Sequence, residues 1–277
     1  MAKDYGDSSI KTLDPVTHIR TRPGMYVGEP GTGAMYHDCI YILMKEVIDN
    51  SIDEFVMGEG KRIDVNVNYT TGEVSVRDYG RGIPLGKVVD CVSQMNTGGK
   101  FDSDAFQFSA GMNGVGTKAV NALSEFFEVR SYREGEFAEA YFEEGRLKSQ
   151  KRGKCKTSEP HGTYIRYKPD VKVLKSFKVR EEHVLRRMKM YCYVNAGLTI
   201  SLNGQEIRSE RGLADLVSDE AQFEKLYAPF HIKTKKLEII FTHTNRFGEE
   251  YHSFVNGQYT TDGGTHLTAF RRRSPRR

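Results

Sequence analysis

The acidic stretch Glu46-Val-Ile-Asp49-Asn50 contains the residue types best suited to chemistry. Glu46 and Asn50 are four positions apart, so on a helix they point the same way. A carboxylate and an amide oxygen one turn apart can hold a hard cation and take a proton from water. Solvated helix faces usually mix in Lys and Arg, whereas only Lys45 interrupts this run. The stretch is therefore either a solvated helix face or a binding site.

A second carboxylate, Asp78, stands before the turn Tyr-Gly80-Arg81-Gly82. Two glycines there break a strand and let a ligand approach the backbone closely. A carboxylate at such an edge can accept the exocyclic N–H of a purine. An Asp before a glycine-rich turn also commonly forms an Asx-turn, so this segment alone is compatible with either role.

Two further glycine-rich segments follow, Gly98-Gly99-Lys100 and Gly111 to Gly116, and the second leads into a helix-forming stretch. Consecutive backbone N–H groups before a helix N-terminus form a cradle for phosphate. The segment is not a P-loop, because Lys118 follows Thr117 instead of preceding it. Its spacing, Gly-x-x-Gly-x-Gly, also excludes a dinucleotide fingerprint.

Regular elements must position these segments. Residues 34–58 contain no proline or internal glycine and repeat apolar residues at helical spacing, which predicts a long, mostly buried helix. Alternating residues in 62–68 and 73–78, around Tyr-Thr-Thr-Gly, predict a β-hairpin. Further helices are predicted over 117–124 and 212–226, and β-type segments over 236–242 and 250–255.

In this order, the four segments resemble the ATPase family shared by gyrase, heat-shock chaperones, histidine kinases and mismatch-repair proteins. Two strings, Arg22-Pro-Gly-Met-Tyr-Val-Gly28 and Thr260-Thr-Asp-Gly-Gly-Thr-His-Leu267, look like the B subunit of type IIA DNA topoisomerases, gyrase or topoisomerase IV. The resemblance implies an α+β fold: a two-layer α/β sandwich in an ATP-binding domain over 1–220. Residues 221–277 would then begin an α/β transducer domain with an atypical Arg-rich end.

The resemblance also implies a role for each matching residue. Glu46 would be the general base that activates water, Asn50 would coordinate the magnesium ion that bridges the phosphates, and Asp49 would support the base. Asp78 would read the adenine amino group, with Thr163 beside it. The other implied ATP-binding positions are the ion pair Glu54 and Arg81, then Gly82, the rim residues Pro84 and Arg133, Lys100, and the lid residues Gly111, Met112, Asn113, Gly114, Val115 and Gly116.

Tyr5 and Ile10 match an N-terminal arm that, in the family, reaches the partner subunit when ATP dimerises the two, and Tyr5 is assigned to the nucleotide site. Two positions depart from the gyrase pattern. Asn113 stands where gyrase commonly has His, and Phe106 stands where a Tyr hydroxyl commonly helps to hold adenine. Phe106 cannot make the adenine contact of that hydroxyl, and Asn113 favours topoisomerase IV over gyrase.

The length and composition of the chain are compatible with a topoisomerase ATPase region. With 277 residues, 38% of them hydrophobic, the chain can form one large domain and part of another. The formal charge of +4 depends on the five Arg residues from Arg271 onward, which indicate either a nucleic-acid arm or a truncation, the second being favoured.

The sequence has no run of signal-peptide or membrane length, so a cytoplasmic protein is expected. Its four cysteines, without a C-x-x-C pair, predict buried thiols.

Three function classes remain open. The first is the ATPase part of a DNA-strand-passing topoisomerase, with ATP and Mg²⁺ as cofactors and with DNA, a DNA-cleaving A subunit and a second copy of this chain as partners. The second is a clamp ATPase of the chaperone or mismatch-repair kind, which the strings at 22–28 and 260–267 disfavour. The third is a module that binds ATP with little turnover, because nothing in the chain matches the catalytic Lys of the transducer loop.

Overall fold

The computed structural model describes residues 10, 12–98, 114–155, 159–220 and 224–273. Phe106 lies outside these ranges, and so do five of the site residues predicted from the sequence: Tyr5, Lys100, Gly111, Met112 and Asn113.

One large sheet organises the described chain. Its strands are β1 (Arg62–Val67), β2 (Val74–Asp78), β3 (Ser124–Arg133), β4 (Glu136–Glu143), β5 (Arg146–Lys154), β6 (Gly162–Pro169), β7 (Thr199–Leu202) and β8 (Gln205–Arg208). They lie in the order β5-β4-β3-β6-β2-β1-β7-β8. Strands β1 and β7 are parallel, and the other neighbouring pairs are antiparallel. The predicted hairpin is confirmed as β1 and β2.

Several of the helices in the described ranges pack on one face of this sheet. The helices are α1 (Pro15–Thr21), α2 (Gly24–Val27), α3 (Cys39–Val56), α4 (Val88–Ser93), α5 (Gly116–Ala122), α6 (Val171–Leu174), α7 (Glu181–Val194), α8 (Leu213–Glu220) and α9 (Thr265–Arg273). Fully buried residues of α3, α5 and α7, such as Ile48, Val120 and Met188, share one apolar core with the inward residues of the strands. The outward strand residues form ion pairs instead, as between Arg130 of β3 and Glu139 of β4. The predicted two-layer α+β fold is therefore confirmed.

The central helix α3 starts later than the sequence predicts, at Cys39 instead of residue 34. The carboxylate of Asp38 accepts the backbone N–H groups of Gly33 and Met35 at 2.8 and 3.1 Å, which holds the preceding residues in a turn. The helix ends at Val56, and Gly58 follows with φ +86°, the left-handed conformation that commonly ends a helix.

Smaller elements follow the large sheet. Strands β9 (Phe230–Lys233) and β10 (Glu238–Phe241) form one antiparallel pair, and β11 (Phe254–Val255) and β12 (Gln258–Tyr259) form another. Helix α8 lies within the helix predicted over 212–226, and β10 within the segment predicted over 236–242, but of residues 250–255 only the last two are strand. The domain boundary at residue 220 stays a prediction.

The cysteines and the lengths of the helices can be compared with the predictions from the sequence. The four cysteines are free thiols, of which Cys39 and Cys192 are buried and Cys91 and Cys155 are half-buried. Within the described ranges, no helix is both long and apolar enough to cross a bilayer.

Candidate nucleotide site

One end of the site lies where α3 meets the beginning of α5. Asn50 Nδ2 donates to the backbone oxygen of Glu46 at 2.7 Å and to Thr117 Oγ1 at 3.0 Å. Because the amide nitrogen makes these two hydrogen bonds, the amide oxygen is the atom through which Asn50 can coordinate a cation. The contact between Asn50 and Thr117 thus joins α3 to the first turn of α5, where the sequence predicts phosphate binding.

Glycine is required at the start of α5. A Cβ at Gly116 would lie 1.8 Å from Oε2 of Glu46, so a larger residue could not approach the carboxylate this closely. Gly114 adopts φ +59°, a left-handed conformation, and Val115 is the N-cap residue of the helix. The first N–H groups of a helix have no partner within the helix and suit an anion. The described part of the predicted lid therefore places backbone donors beside Glu46.

The other end of the site is formed by Asp78. Strand alternation places this residue on the inner face of β2, after Val74 and Val76, and it is only 6% exposed. Its Oδ1 accepts the backbone N–H groups of Gly80 and Thr163 at 3.0 and 3.1 Å. Burial raises the pKa of the Asp78 carboxyl, and these two donors offset that effect only in part. The carboxylate is therefore desolvated, with one oxygen held by the backbone.

The second oxygen of Asp78 is held less firmly. Ser51 on α3 donates to Oδ2 at 3.4 Å, which is long for a bond between a hydroxyl and a carboxylate. A ligand's N–H group can therefore find an acceptor at Oδ2.

Glu54 and Arg81 form an ion pair beside this carboxylate. The backbone N–H and Nε of Arg81 donate to Glu54 Oε2 at 2.9 and 3.0 Å, and Nη2 donates to Oε1 at 2.9 Å. A Cβ at Gly80 would lie 2.7 Å from the Cβ of Glu54, so the turn after Asp78 packs directly on α3. The pair fixes that turn against the helix.

The predicted rim residues lie on the far side of the same turn. Arg133 Nη1 donates to the backbone oxygen of Gly82 at 3.4 Å, and Ser131 Oγ donates to that of Ile83 at 2.6 Å. Gly82 has φ +74°, a conformation that favours glycine. Pro84 follows and begins a short 3-10 helix, Leu85–Lys87. Strand β3 thus supports the turn from outside.

Arg77 and Gly162 support Asp78, although sequence reasoning did not select either of them. The Nη1 atom of Arg77 donates to the backbone oxygen of Asp78 at 2.7 Å, and its guanidinium lies 4.9 and 4.7 Å from the ring centres of Tyr79 and Tyr132. A Cβ at Gly162 would lie 2.1 Å from the same backbone oxygen. Each looks like an ordinary strand residue in the sequence.

Asp49 is buried, at 2% exposure. Its Oδ1 accepts from the hydroxyl of Tyr191 at 2.6 Å, and its Oδ2 accepts from Lys45 Nζ at 2.7 Å and from Gln258 Nε2 at 2.8 Å. All three donors to Asp49 are side chains of this chain. Neither Tyr191 nor Gln258 was predicted from the sequence. Asp53 on the same helix is 3% exposed. Such burial excludes the alternative that this acidic face is simply solvated.

Lys118 occupies the first turn of α5 and is 6% exposed. Its Nζ donates to the backbone oxygen of Thr97 at 2.6 Å. The contact brings α5 to the residues just before the predicted Gly98-Gly99-Lys100 turn, of which Lys100 lies outside the described residues. Sequence reasoning excluded a P-loop from the position of this lysine and gave it no other role.

Helix α3 connects the two ends of the site. Glu46 and Glu54 are eight residues apart, which corresponds to about 12 Å along the helix axis. Among the described residues, no group of three or more His, Cys, Asp or Glu could enclose a metal ion. Magnesium commonly binds through one or two protein oxygens together with nucleotide phosphates, and the oxygen of Asn50 fits that type of site.

Two family descriptions match this chain. Residues 37–173 match the family described as Histidine kinase-, DNA gyrase B-, and HSP90-like ATPase. Residues 207–275 match the family described as DNA gyrase B. The first match includes every described site residue predicted from the sequence, from Glu46 to Thr163.

Individual proteins are similar over nearly the whole chain. The B subunit of DNA topoisomerase 4 from Borreliella burgdorferi is 48% identical over 270 residues, which are 97% of this chain and 44% of that protein. The B subunit of DNA gyrase from Thermotoga maritima is 34% identical over 296 residues, covering 96% of this chain and 45% of that protein. The chain thus spans less than half the length of these curated relatives.

A solved structure has the same architecture. The crystal structure of the 43K ATPase domain of Thermus thermophilus gyrase B, in complex with an aminocoumarin, matches with a TM-score of 0.74 and 27% sequence identity. The match covers 93% of this chain and 70% of that one.

Proposed function

Because the chain belongs to the family of type IIA topoisomerase B subunits and corresponds to their N-terminal ATPase region, we propose that it binds ATP along α3 and hydrolyses it. One observation carries the proposal. A single helix presents Glu46 and Asn50 to the start of α5 and, farther along, Ser51 and Glu54 to the Asp78 turn. The helix can therefore align a purine with a phosphate chain.

Asp78 selects adenine in this proposal. Adenine carries an exocyclic amino group, which donates hydrogen bonds, whereas guanine carries a carbonyl oxygen at the same position, which accepts them. A buried carboxylate with an available acceptor at Oδ2 attracts the first and repels the second. The Arg81–Glu54 ion pair and the Arg133 contact hold the turn that forms the pocket wall.

Glu46 acts as the general base. Its side chain is 28% exposed and lies against the start of α5, so it can reach a water molecule beside the terminal phosphate. Asn50 would hold magnesium, which when bound with the nucleotide neutralises phosphate charge. Hydrolysis of a phosphoanhydride needs positioning and charge neutralisation more than covalent help. The backbone N–H groups from Gly114 to Gly116 supply part of that positioning.

The larger assembly is also part of the proposal. Binding of ATP would pair two copies of this subunit and close a gate for DNA strand passage, in a cytoplasmic enzyme completed by a DNA-cleaving A subunit. Ile10 and Leu13 near the N-terminus are 64% and 44% exposed, which supports a partner surface there. Identity of 48% with the B subunit of a topoisomerase 4, against 34% with that of a gyrase, supports topoisomerase IV as the enzyme.

The test is the substitution Glu46→Ala. We expect ATP binding to be retained and Mg²⁺-dependent hydrolysis to fall by roughly 10²- to 10⁴-fold, because the water loses its base. Calorimetry with a non-hydrolysable ATP analogue measures binding, and phosphate release measures turnover. The matched control is Glu182→Ala, which removes an exposed carboxylate at the start of α7 and should leave both unchanged.

Each other outcome has a definite meaning. Near-parental hydrolysis by Glu46→Ala would remove Glu46 from the role of base. Binding without turnover in the parental chain would favour a module that only holds ATP, and absence of binding would refute the nucleotide site. Light scattering of the same samples tests ATP-dependent dimerisation. The proposal requires the particle mass to double when the ATP analogue is added.

A further inference from the structure

Asp49 is the meeting point of three elements that are distant in sequence. Tyr191 lies on α7 and Gln258 on β12, and they are 142 and 209 residues away from Asp49. Lys45 lies one turn earlier on α3 itself. A buried carboxylate is unfavourable unless donors surround it, and these three residues, which together with Asp49 form what we term the Asp49 cluster, supply them. The position of α3 is thus linked to that of α7 and of the β11–β12 hairpin.

The hairpin that carries Gln258 is anchored independently of this hydrogen bond. Phe254 on β11 packs against Met190 and Tyr193 of α7 and Leu216 of α8. The turn between the strands uses Asn256 and Gly257, both with positive φ, as a tight two-residue hairpin requires. Gln258 then projects from the second strand to Asp49. Apolar packing therefore holds the hairpin on α7, and Gln258 connects it to α3.

Lys45 lies between Asp49 and the proposed base. Its Nζ is 2.7 Å from Asp49 Oδ2 and 3.5 Å from Glu46 Oε1. Burial alone would lower the pKa of Lys45, but the charges of Asp49 and Glu46 and the hydrogen bonds to both outweigh it and raise that pKa. The ammonium group therefore stays charged and attracts both carboxylates.

We propose that Gln258 and Lys45 are positioning residues for Glu46, and that docking of the β11–β12 hairpin on Asp49 thereby controls ATP turnover. The inference rests on the proposed function, in which Glu46 is the base. Gln258 and Lys45 bind the same oxygen of Asp49, so the amide of Gln258 takes up part of the negative charge that attracts the ammonium. Without Gln258, that oxygen attracts Lys45 more strongly, and the weaker contact of Lys45 with Glu46, at 3.5 Å, is lost.

Kinetics of the full chain test this arrangement. We expect Gln258→Leu and Lys45→Met each to lower kcat about three- to tenfold, with KM for ATP changed less than about twofold, because the loss affects the base and not ATP binding. The double variant should be no slower than the slower single variant, because both changes interrupt one connection. Lys45→Arg keeps a cation between the two carboxylates and should restore most of kcat.

Hydrogen exchange of the nucleotide-free chain gives a second measurement that does not depend on turnover. Lys45→Met should slow amide exchange in residues 253–260, although Lys45 lies on a different element, because Asp49 Oδ2 is then left to Gln258 alone. Tyr259→Phe is the matched control, since it removes a polar atom from the same hairpin without touching Asp49. We expect parental exchange and parental kcat for this control.

The outcomes separate the inference from the proposed function. Parental kcat in Gln258→Leu, additive losses in the double variant, or a parallel rise of KM would overturn the inference while leaving ATP hydrolysis intact. A parental chain without turnover would refute the proposed function, and the exchange measurement would then decide the inference by itself. Unchanged exchange in Lys45→Met would count against it.

Discussion

Replacing Asp78 by Asn should separate purine recognition from folding. Oδ1 of Asp78 accepts the backbone N–H groups of Gly80 and Thr163. An Asn must place its single oxygen there, because two buried donors would otherwise lose their acceptor, and its NH₂ group then replaces Oδ2. This places a donor opposite the amino group of adenine, which is also a donor. We therefore expect Asp78→Asn to weaken ATP binding.

The expected loss of ATP affinity can be calculated from the hydrogen bond between adenine and Asp78 that the substitution removes. A hydrogen bond to a charged acceptor contributes about 1.5–3 kcal/mol. Since about 1.4 kcal/mol corresponds to a tenfold change in Kd, the affinity for a non-hydrolysable ATP analogue should fall about 10- to 150-fold.

The same substitution should stabilise the nucleotide-free chain. Burial raises the pKa of Asp78 above its ordinary value of 3.8, so ionised Asp78 destabilises the folded state. That cost appears as pH rises above 3.8 and is complete above the raised folded-state pKa. Asn carries no charge, so the melting temperature should increase, and more at about pH 8 than at about pH 4, where the cost of ionising Asp78 has only begun to appear. Each 1 kcal/mol that is relieved corresponds to about 2–4 °C.

Calorimetry and thermal melts measure the two effects of Asp78→Asn. The control is Asp90→Asn on α4, where the carboxylate is partly exposed and pairs with Lys87. Unchanged ATP affinity would refute the role given to Asp78. A lower melting temperature, or an equal increase at both pH values, would refute the argument from desolvation.

Two further substitutions test the packing around the site. Gly116→Ala should lower kcat about tenfold or more, because its Cβ would come within 1.8 Å of Glu46 Oε2 and displace the base; an unchanged kcat in steady-state assays would contradict this. Arg20→Met should reduce the free energy of unfolding in urea by about 2–4 kcal/mol, since buried Asp170 loses its cation at 2.6 Å and the Ala122 carbonyl loses a donor. A loss below about 0.5 kcal/mol would show that Asp170 finds other partners.

Local periodicity is what made the central parts predictable. Helical spacing correctly indicated that α3 buries Ile48 and Ile52, and strand alternation correctly paired β1 with β2. The helix start was misplaced because it depends on Asp38, whose side chain binds the backbone of earlier residues instead of extending the helix. Such a contact between a side chain and the backbone does not change the spacing of apolar residues, so the sequence pattern does not reveal it.

The tertiary contacts could not be predicted for a related reason. Tyr191 and Gln258 reach Asp49 only after α7 and the β11–β12 hairpin have packed on the same core, and nothing in their local sequence marks them as partners. Gly162 likewise looks like any strand glycine until β6 pairs with β2 and approaches the backbone of Asp78. Residue type and spacing thus identified the groups that face the ligand, but not the groups that hold them.

The buried charge of Asp49 is best understood through the rotation of α3. An apolar residue at this position could pack against α7 without the desolvation cost of a carboxylate, so stability alone does not explain the Asp49 cluster. A small rotation of α3 about its axis would move Glu46 away from Gly116. Directional hydrogen bonds within the cluster resist such a rotation, whereas apolar contacts would allow it. The Asp49 cluster therefore fixes α3 in the rotation that places Glu46 beside Gly116, which is why we expect its loss to affect kcat more than stability.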